Sequence, residues 1–352
     1  MRFVANLDDN GDIIVTKQRD INNLYHKNRY GSLKSKDRLL LDPIEVLFLV
    51  GEGKLDVYKD GRIIDFHSLL KKSASIINDI DIRYLAYRDL RLRGYKVKIK
   101  SDSIADFIIE KIKDESKYIT AHVKIFSEMD TASIDYIEHA IDYTISVKSS
   151  LWFMIIDEEG DITYYNISKP SIKGEIREYN PPSGEGYLLH NRVVVFNPEL
   201  ATYLHQQGFY GKPFGNALQL SLIEAIYLEN MNVLRLYSIK DDKKIKNKEM
   251  KDIIKNQQDD VDDYLRVFAD LKNKGLIVKT GFKFGTNFRV YTRRPDLTHA
   301  EYLVHIVPYK YKGVWSEISR GVRLAHSVNK EFILAYTKNN KVEYISLGRL
   351  RA

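Results

Sequence analysis

GLIVKTGFKFGTNFRVYTRRPDLTHAEYLVHIVP, residues 275–308, decides the fold, because the chain has already written a version of it as GYKVKIKSDSIADFIIEKIKDESKYITAHVKIFS, residues 94–127. With the two set 181 residues apart and no gap, ADFIIE falls on TNFRVY, AHVKIFS on YLVHIVP and, further on, IDYTISVKS on VRLAHSVNK. A chance match loses register. Upstream, YRDLRLRGYKVK (87–98) returns as FADLKNKGLIVK (268–279), and DPIEVLFLVGEGKLDVY (42–58) returns within 220–237. After a one-residue slip, GDITYYNIS (160–168) falls on NKVEYISLG (340–348). Two copies of one αβ unit therefore account for most of the chain, and each motif must be read against its duplicate.

Local signals give the elements of the second copy. DDVDDYLRVFADLKNKG begins acidic, ends with Lys272, Lys274 and Gly275, and sets Tyr264, Val267, Phe268 and Leu271 on one face, which predicts an amphipathic helix. LIVKT, FRVYT and EYLVHIV predict strands. SEISRGVRLAHS predicts a second helix with Ser316 as N-cap and Ile318, Val322 and Ala325 inward, followed by a core strand EFILAY. This order describes a mixed sheet with helices packed on it. Residues 171–186, with paired Pro and three Gly, read as a linker, and residues 239–263 as a charge-rich, solvated helical insert in the second copy.

Composition narrows the class. At 352 residues, two or three domains are expected, and 44% hydrophobic residues with 24 Tyr and 14 Phe are enough to build cores. A net charge of +7 favours a polyanionic partner. The absence of cysteine excludes disulfides, thiolate catalysis and Cys-ligated zinc. The amino terminus has no apolar signal core and IEVLFLV falls far short of a membrane span, so the expected setting is cytoplasmic, without a membrane partner.

Three reactive groups lie at predicted element ends: Tyr291 closes FRVY, His299 opens the strand after TRRPDLT, and Lys330 follows the helix. Taken singly, each has an ordinary structural reading, as a strand tyrosine, a loop histidine and a solvated lysine. His305, along its strand, and His326, packed under the helix, compete for the histidine role. The duplicate supplies a control. At 181 residues' offset the three positions hold Glu110, Tyr118 and Ser149, while the apolar residues around them persist.

KTGFKFGTNFRVY, the following histidine and VRLAHSVNK together closely resemble the catalytic region of archaeal tRNA-splicing endonucleases. YLAYRDLRLRGYKVK and IIDEEGDITYYNISKP extend the resemblance to the first copy. It implies an α/β fold of the mixed α+β kind, in which each copy joins a small amino-terminal αβ subdomain to a restriction-nuclease-like sheet flanked by helices. The boundaries expected are 1–80 and 81–170 for the first copy, a linker over 171–186, then 187–259 and a catalytic subdomain over 260–352.

The resemblance also implies cleavage of precursor tRNA at a bulge-helix-bulge, without metal or cofactor, leaving a 2′,3′-cyclic phosphate and a 5′-hydroxyl. Tyr291 would take the 2′-hydroxyl proton, His299 would protonate the leaving 5′ oxygen, and Lys330 would stabilise charge on phosphorus. A histidine suits an acid near neutrality. A phenol acting as base needs positive charge nearby, for which Lys330, Arg289, Arg293 and Arg294 are candidates. Arg323, with Arg320 on the same helix, would bind RNA, clamping a flipped base with Arg349 or, in reserve, Arg351. The acidic loop of Asp157, Glu158, Glu159 and Asp161 would dock on another chain, giving a homodimer through that loop and the carboxy-terminal strands. The piece before Arg38 departs from the simplest members and has no assigned role. Rival readings are a noncatalytic RNA-binding scaffold and a structure-specific DNA nuclease, although the latter wants paired acidic metal ligands that the Tyr291 region lacks.

Overall fold

The computed structural model describes residues 2–100, 102–114, 117–177, 181–255 and 261–350. The chain divides into two compact units, one of residues 1–168 with 312–319 and 348–352, the other of residues 169–311 and 320–347. In the first, strands Lys96–Ile99, Phe107–Asp114, Lys117–Ser127, Ser150–Ile156 and Ile162–Ser168 lie side by side in that order. Neighbours are antiparallel except for Lys117–Ser127 with Ser150–Ile156, which run parallel because helix Ile134–Ser146 carries the chain back across the sheet.

The second copy repeats this run as Ile277–Thr280, Phe288–Tyr291, Tyr302–Ile306, Glu331–Lys338 and Lys341–Leu350, with Trp315–Ser327 as the crossover helix, the start of that helix and the end of that last strand being counted in the first unit. Register repeats too. Lys96 opposite Glu110 becomes Ile277 opposite Tyr291, and Ala121 opposite Ser150 becomes Tyr302 opposite Glu331. The one-residue slip falls in the last hairpin: Asp157–Asp161 links paired Ile156 and Ile162, whereas the second hairpin turns at Asn339 and Asn340, with φ of 50° and 62°. Two consecutive positive φ values suit the tight turn of a twisted hairpin, and asparagine tolerates them.

Each unit also has a smaller amino-terminal sheet sharing one core with its longer run. The first is six-stranded, in the order Ser32–Ser35, Arg38–Leu41, Ile13–Val15, Phe3–Leu7, Leu55–Lys59, Arg62–Ile64. The piece before Arg38 thus acquires a role, since it supplies three of these strands. Its duplicate is Gly184–Leu189, Arg192–Val195 and Lys212–Phe214.

Two further readings are corrected. Residues 239–263 are not an insert: helix Asn247–Lys255 stands where Phe66–Ala74 stands in the first copy, and the bridge Tyr237 to Lys244 repeats the pair Tyr58 to Ile63. Nor is the segment wholly solvated, because Ile245, Met250 and Ile254 enter the core. The stretch 171–186 is only partly a free connection. Gly174 N–H donates to Lys274 O at 2.9 Å, Glu175 N–H to Thr292 O at 2.9 Å and Ile176 N–H to Gly275 O at 3.0 Å, and Gly184 already opens a strand.

Helix Val261–Asn273 has the expected buried face of Val267, Phe268 and Leu271, and Gly275 follows it with φ of +77°. The other helix begins at Trp315, so Ser316 is inside it and is not its cap. Its first N–H groups are satisfied by distant backbone instead: Trp315 donates to Asp130 O and Ser316 to Glu128 O, both at 3.0 Å. The Trp315 side chain is fully buried against Phe126, Phe153 and Tyr165, which anchors the helix start.

Candidate active site

Tyr291 ends its strand and is 9% exposed, packed with Ile277 and Ala300 and covered by Ile176 and Phe209. Ile176 belongs to the stretch 171–186, whose residues 174–176 therefore form a strap against the tyrosine's cluster. Lys330, half-buried between helix and strand, donates from Nζ to the Ala300 carbonyl at 2.9 Å and to Val328 O at 3.5 Å. Its ammonium also lies 5.9 Å from the Phe284 ring. Ala300 thus shares the tyrosine's buried cluster and is bonded by the lysine, and the residue before it is His299.

His299 does not open a strand, since the strand starts at Tyr302; the histidine is exposed at the end of a loop. That loop is braced. Leu297 and Thr298 N–H groups fold back on Arg294 O at 3.0 and 3.2 Å. At its base Glu301 accepts from Thr292 N–H at 3.0 Å and from Thr292 Oγ1 at 2.9 Å. Glu301 was missed by sequence reasoning, and no local pattern marks it. His305 is half-buried beside Phe332, and burial pushes its imidazole pKa down, while His326 is exposed and does not pack under its helix.

Arg289 stands over the Tyr291 ring at 5.9 Å, and its buried Nε has no hydrogen-bond partner among the described residues. Arg293 pairs with Glu175 at 2.9 Å and Arg294 with Asp296 at 3.2 Å. Arg320 and Arg323 are exposed on the helix that buries Ile318, Val322 and Ala325. Arg349 is exposed on the last strand, and Arg351 lies outside the described residues. In the first copy the Lys330 position holds Ser149, whose hydroxyl donates to Thr120 O at 3.1 Å and contacts His122 Nδ1 at 3.0 Å. Glu110 holds the Tyr291 position; the Tyr118 side chain lies outside the description.

The acidic turn divides its four carboxylates. Asp157 Oδ1 accepts from Glu159 and Asp161 N–H at 3.1 and 2.9 Å, so it shapes the turn, while Glu158, Glu159 and Asp161 are exposed. In the second unit Arg192, Lys212, Lys279 and Arg289 line a cavity of about 400 Å³ that also holds Glu224. Lys279 donates to Gly211 O at 3.0 Å, and burial pushes its ammonium pKa down. Among the described residues no group of three His, Asp or Glu stands together as a metal site, and no helix is long and apolar enough to cross a membrane.

The model of the tRNA intron endonuclease catalytic C-terminal domain matches residues 80–164 and again 261–344, and that of the family's N-terminal domain matches 8–70 and 184–251. Similar curated proteins include the tRNA-splicing endonucleases of Methanococcoides burtonii, 32% identical over 97% of this chain and 98% of theirs, and Methanosarcina mazei, 31% identical over 97% of each. That of Halobacterium salinarum is 30% identical over 94% of this chain and 95% of its own. The chain belongs to the tRNA intron endonuclease family, with both family domains present twice. It is an endonuclease of tRNA splicing.

Proposed function

We propose that the second copy cuts precursor tRNA at bulge-helix-bulge intron boundaries through Tyr291, His299 and Lys330. The 2′-oxygen, losing its proton to Tyr291, attacks the adjacent phosphorus. The bond from phosphorus to the 5′ oxygen breaks, its electron pair goes to that oxygen, and His299 supplies the proton. The products are a 2′,3′-cyclic phosphate and a 5′-hydroxyl. Lys330 stabilises the charge that builds on the phosphoryl oxygens. Because the nucleophile belongs to the RNA, no metal-bound water is required.

The observation that carries the assignment is the joint at Ala300, where the tyrosine packs, the lysine donates at 2.9 Å and the histidine is next in sequence. Arg289, over the phenol ring at 5.9 Å, places a positive charge beside the proposed base. Arg323 and Arg349, with Arg320 and Arg351, fill the RNA-binding role, since exposed guanidinium groups can stack on splayed bases.

Two cuts release one intron, so a homodimer with one active copy per chain provides both sites. Exposed Glu158, Glu159 and Asp161 are complementary to the cavity of Arg192, Lys212, Lys279 and Arg289, which supports docking of one chain's turn on a partner's second copy. The cytoplasm is the expected compartment.

The test is single-turnover cleavage of a bulge-helix-bulge RNA in EDTA, with end-group analysis. Two cuts carrying cyclic phosphate are expected, with Tyr291→Phe, His299→Ala and Lys330→Met each slowed about a hundredfold or more while still binding RNA. A wild type that binds but never cuts leaves the scaffold reading. Cutting that requires metal, or prefers DNA, refutes the mechanism.

A further inference from the structure

We propose that Phe282 is a stacking platform for an unpaired nucleobase of the substrate RNA beside Lys330. The inference rests on the splicing-endonuclease reading and adds a substrate contact outside the trio and the arginines. Phe282 is 87% exposed, yet its backbone is firmly held in the short helical turn Phe282–Phe284. Phe284 N–H donates to Gly281 O at 2.7 Å, Gly285 N–H to Phe282 O at 3.2 Å, and Phe282 N–H to Thr280 Oγ1 at 3.3 Å. Gly285 takes φ of +62°, and a Cβ on Gly281 would meet Thr286 Oγ1 at 2.4 Å. The segment TGFKFGT is therefore built to make this turn, and the turn presents a bare ring to water.

The turn's other ring ties it to the site, because Phe284 lies 5.9 Å from the Lys330 ammonium. Lys283, between the two rings, is exposed. An exposed aromatic ring in a turn that also carries Lys283 and sets Phe284 near Lys330 matches a nucleobase and its phosphate. Stacking of this kind is sequence-tolerant, since every base has a π-face. The exposed ring next to exposed Lys283 favours a polyanion over an uncharged apolar surface.

The degenerate copy again provides the control. At 181 residues' offset, Phe282, Lys283 and Phe284 become Ser101, Asp102 and Ser103. There Asp102 Oδ1 accepts from Ile104 and Ala105 N–H at 2.9 and 2.8 Å, and the carboxylate pairs with Lys100 at 2.8 Å. The copy that lost Tyr291, His299 and Lys330 has lost both rings and the cation of this segment as well, while an Asp-centred turn takes their place. A structural need for a turn does not account for Phe282.

The experiment compares wild type with Phe282→Ala, Phe282→Leu and Phe282→Tyr, after matched thermal melts establish equal folding. RNA affinity and half-saturating enzyme concentration are measured, and bulge positions are replaced one at a time by 5-iodouracil for photocross-linking. Alanine and leucine should raise both the dissociation constant and the half-saturating concentration about tenfold, equivalent to about 1.4 kcal/mol. Tyrosine should restore them, and a cross-link from one bulge position to residue 282 should vanish in the alanine variant. Unchanged affinity in the alanine variant overturns the proposal. So does loss of self-association in place of RNA affinity, which would make Phe282 a protein contact. Binding and cross-linking are read without cleavage, so failure of the splicing reading shows separately, as an uncut wild-type substrate.

Discussion

Replacing Gly174 with alanine places a methyl carbon 1.9 Å from the Gly275 carbonyl oxygen, 2.5 Å from its carbon and 3.0 Å from Leu276 Cα. All three atoms are backbone, so no side chain can swing aside and the strap itself must move. Its bonds from Gly174, Glu175 and Ile176, at 2.9, 2.9 and 3.0 Å, are then stretched or broken. At about 1 kcal/mol each, the loss is about 3 kcal/mol, similar to the upper cost of overpacking a core. In a unit of this size that lowers the melting temperature by about 6–12 °C. Gly348, whose added Cβ would meet nothing within 4 Å, is the control, and its alanine variant should melt within about 2 °C of wild type. Because Ile176 covers Tyr291, single-turnover cleavage should also slow in Gly174→Ala at temperatures where it remains folded. If Gly174→Ala melts and cuts like Gly348→Ala, residues 174–176 are a passive connection and the account of Tyr291's surroundings fails.

Three further outcomes follow from other joints. Glu301→Ala removes both bonds to Thr292 that close the His299 loop; cleavage should slow about tenfold to a hundredfold while the RNA dissociation constant changes less than about twofold, and an unchanged rate removes Glu301 from positioning. Glu45 is 3% exposed, and burial raises its pKa from 4.5 to about 7 against the lowering effect of N–H groups from Gly31 and Asp42. A carboxyl with a raised folded pKa contributes stability that is complete below about pH 4.5 and is lost as pH rises through about 7. Wild-type unfolding free energy should therefore fall about 3 kcal/mol more than that of Glu45→Gln between pH 4.5 and 8, and parallel pH profiles would refute it. Reversing Glu158, Glu159 and Asp161 to lysine should shift sedimentation toward monomer without lowering the melting temperature, since these side chains are exposed and Asp157 keeps the turn; an intact dimer rules out the docking role.

The second copy's strands and helices were legible because burial imposes period and register on apolar side chains, and a duplicate confirms both. The strap was not legible, because Gly174, Glu175 and Ile176 are held through backbone N–H groups that every residue but proline possesses. Ser316 misled for a related reason: a serine before a helical pattern is the ordinary sign of a cap, but here carbonyls of Glu128 and Asp130, far away in sequence, satisfy the N–H groups. In helix Asn247–Lys255 a signal existed. Met250 and Ile254, four residues apart, are its buried face, and the surrounding lysines masked them. His299 could be selected by comparison with the first copy, yet its loop was set by Glu301, whose pairing with Thr292 no periodicity records.

That the two copies keep one frame while differing at Tyr291, His299 and Lys330 has a physical answer at Glu45 and Glu224. Each is a buried N-terminal helix residue serving as acceptor: Glu45 for Gly31 and Asp42 N–H, Glu224 for Gly211 and Ser221 N–H and the Ser221 hydroxyl. Both glycines have positive φ, +69° and +55°, and a Cβ on either would meet a carbonyl oxygen at 2.5 or 2.4 Å. No member of such a joint can change alone, because the others would be left buried without partners, at about 1–3 kcal/mol each. The reactive positions lack this mutual dependence. Serine can stand where Lys330 stands and find Thr120 O, and Glu110 can sit half-buried within strand Phe107–Asp114 where Tyr291 ends its own. Packing joints therefore hold the duplicate in register, while the positions proposed for catalysis in the second copy are free to differ in the first.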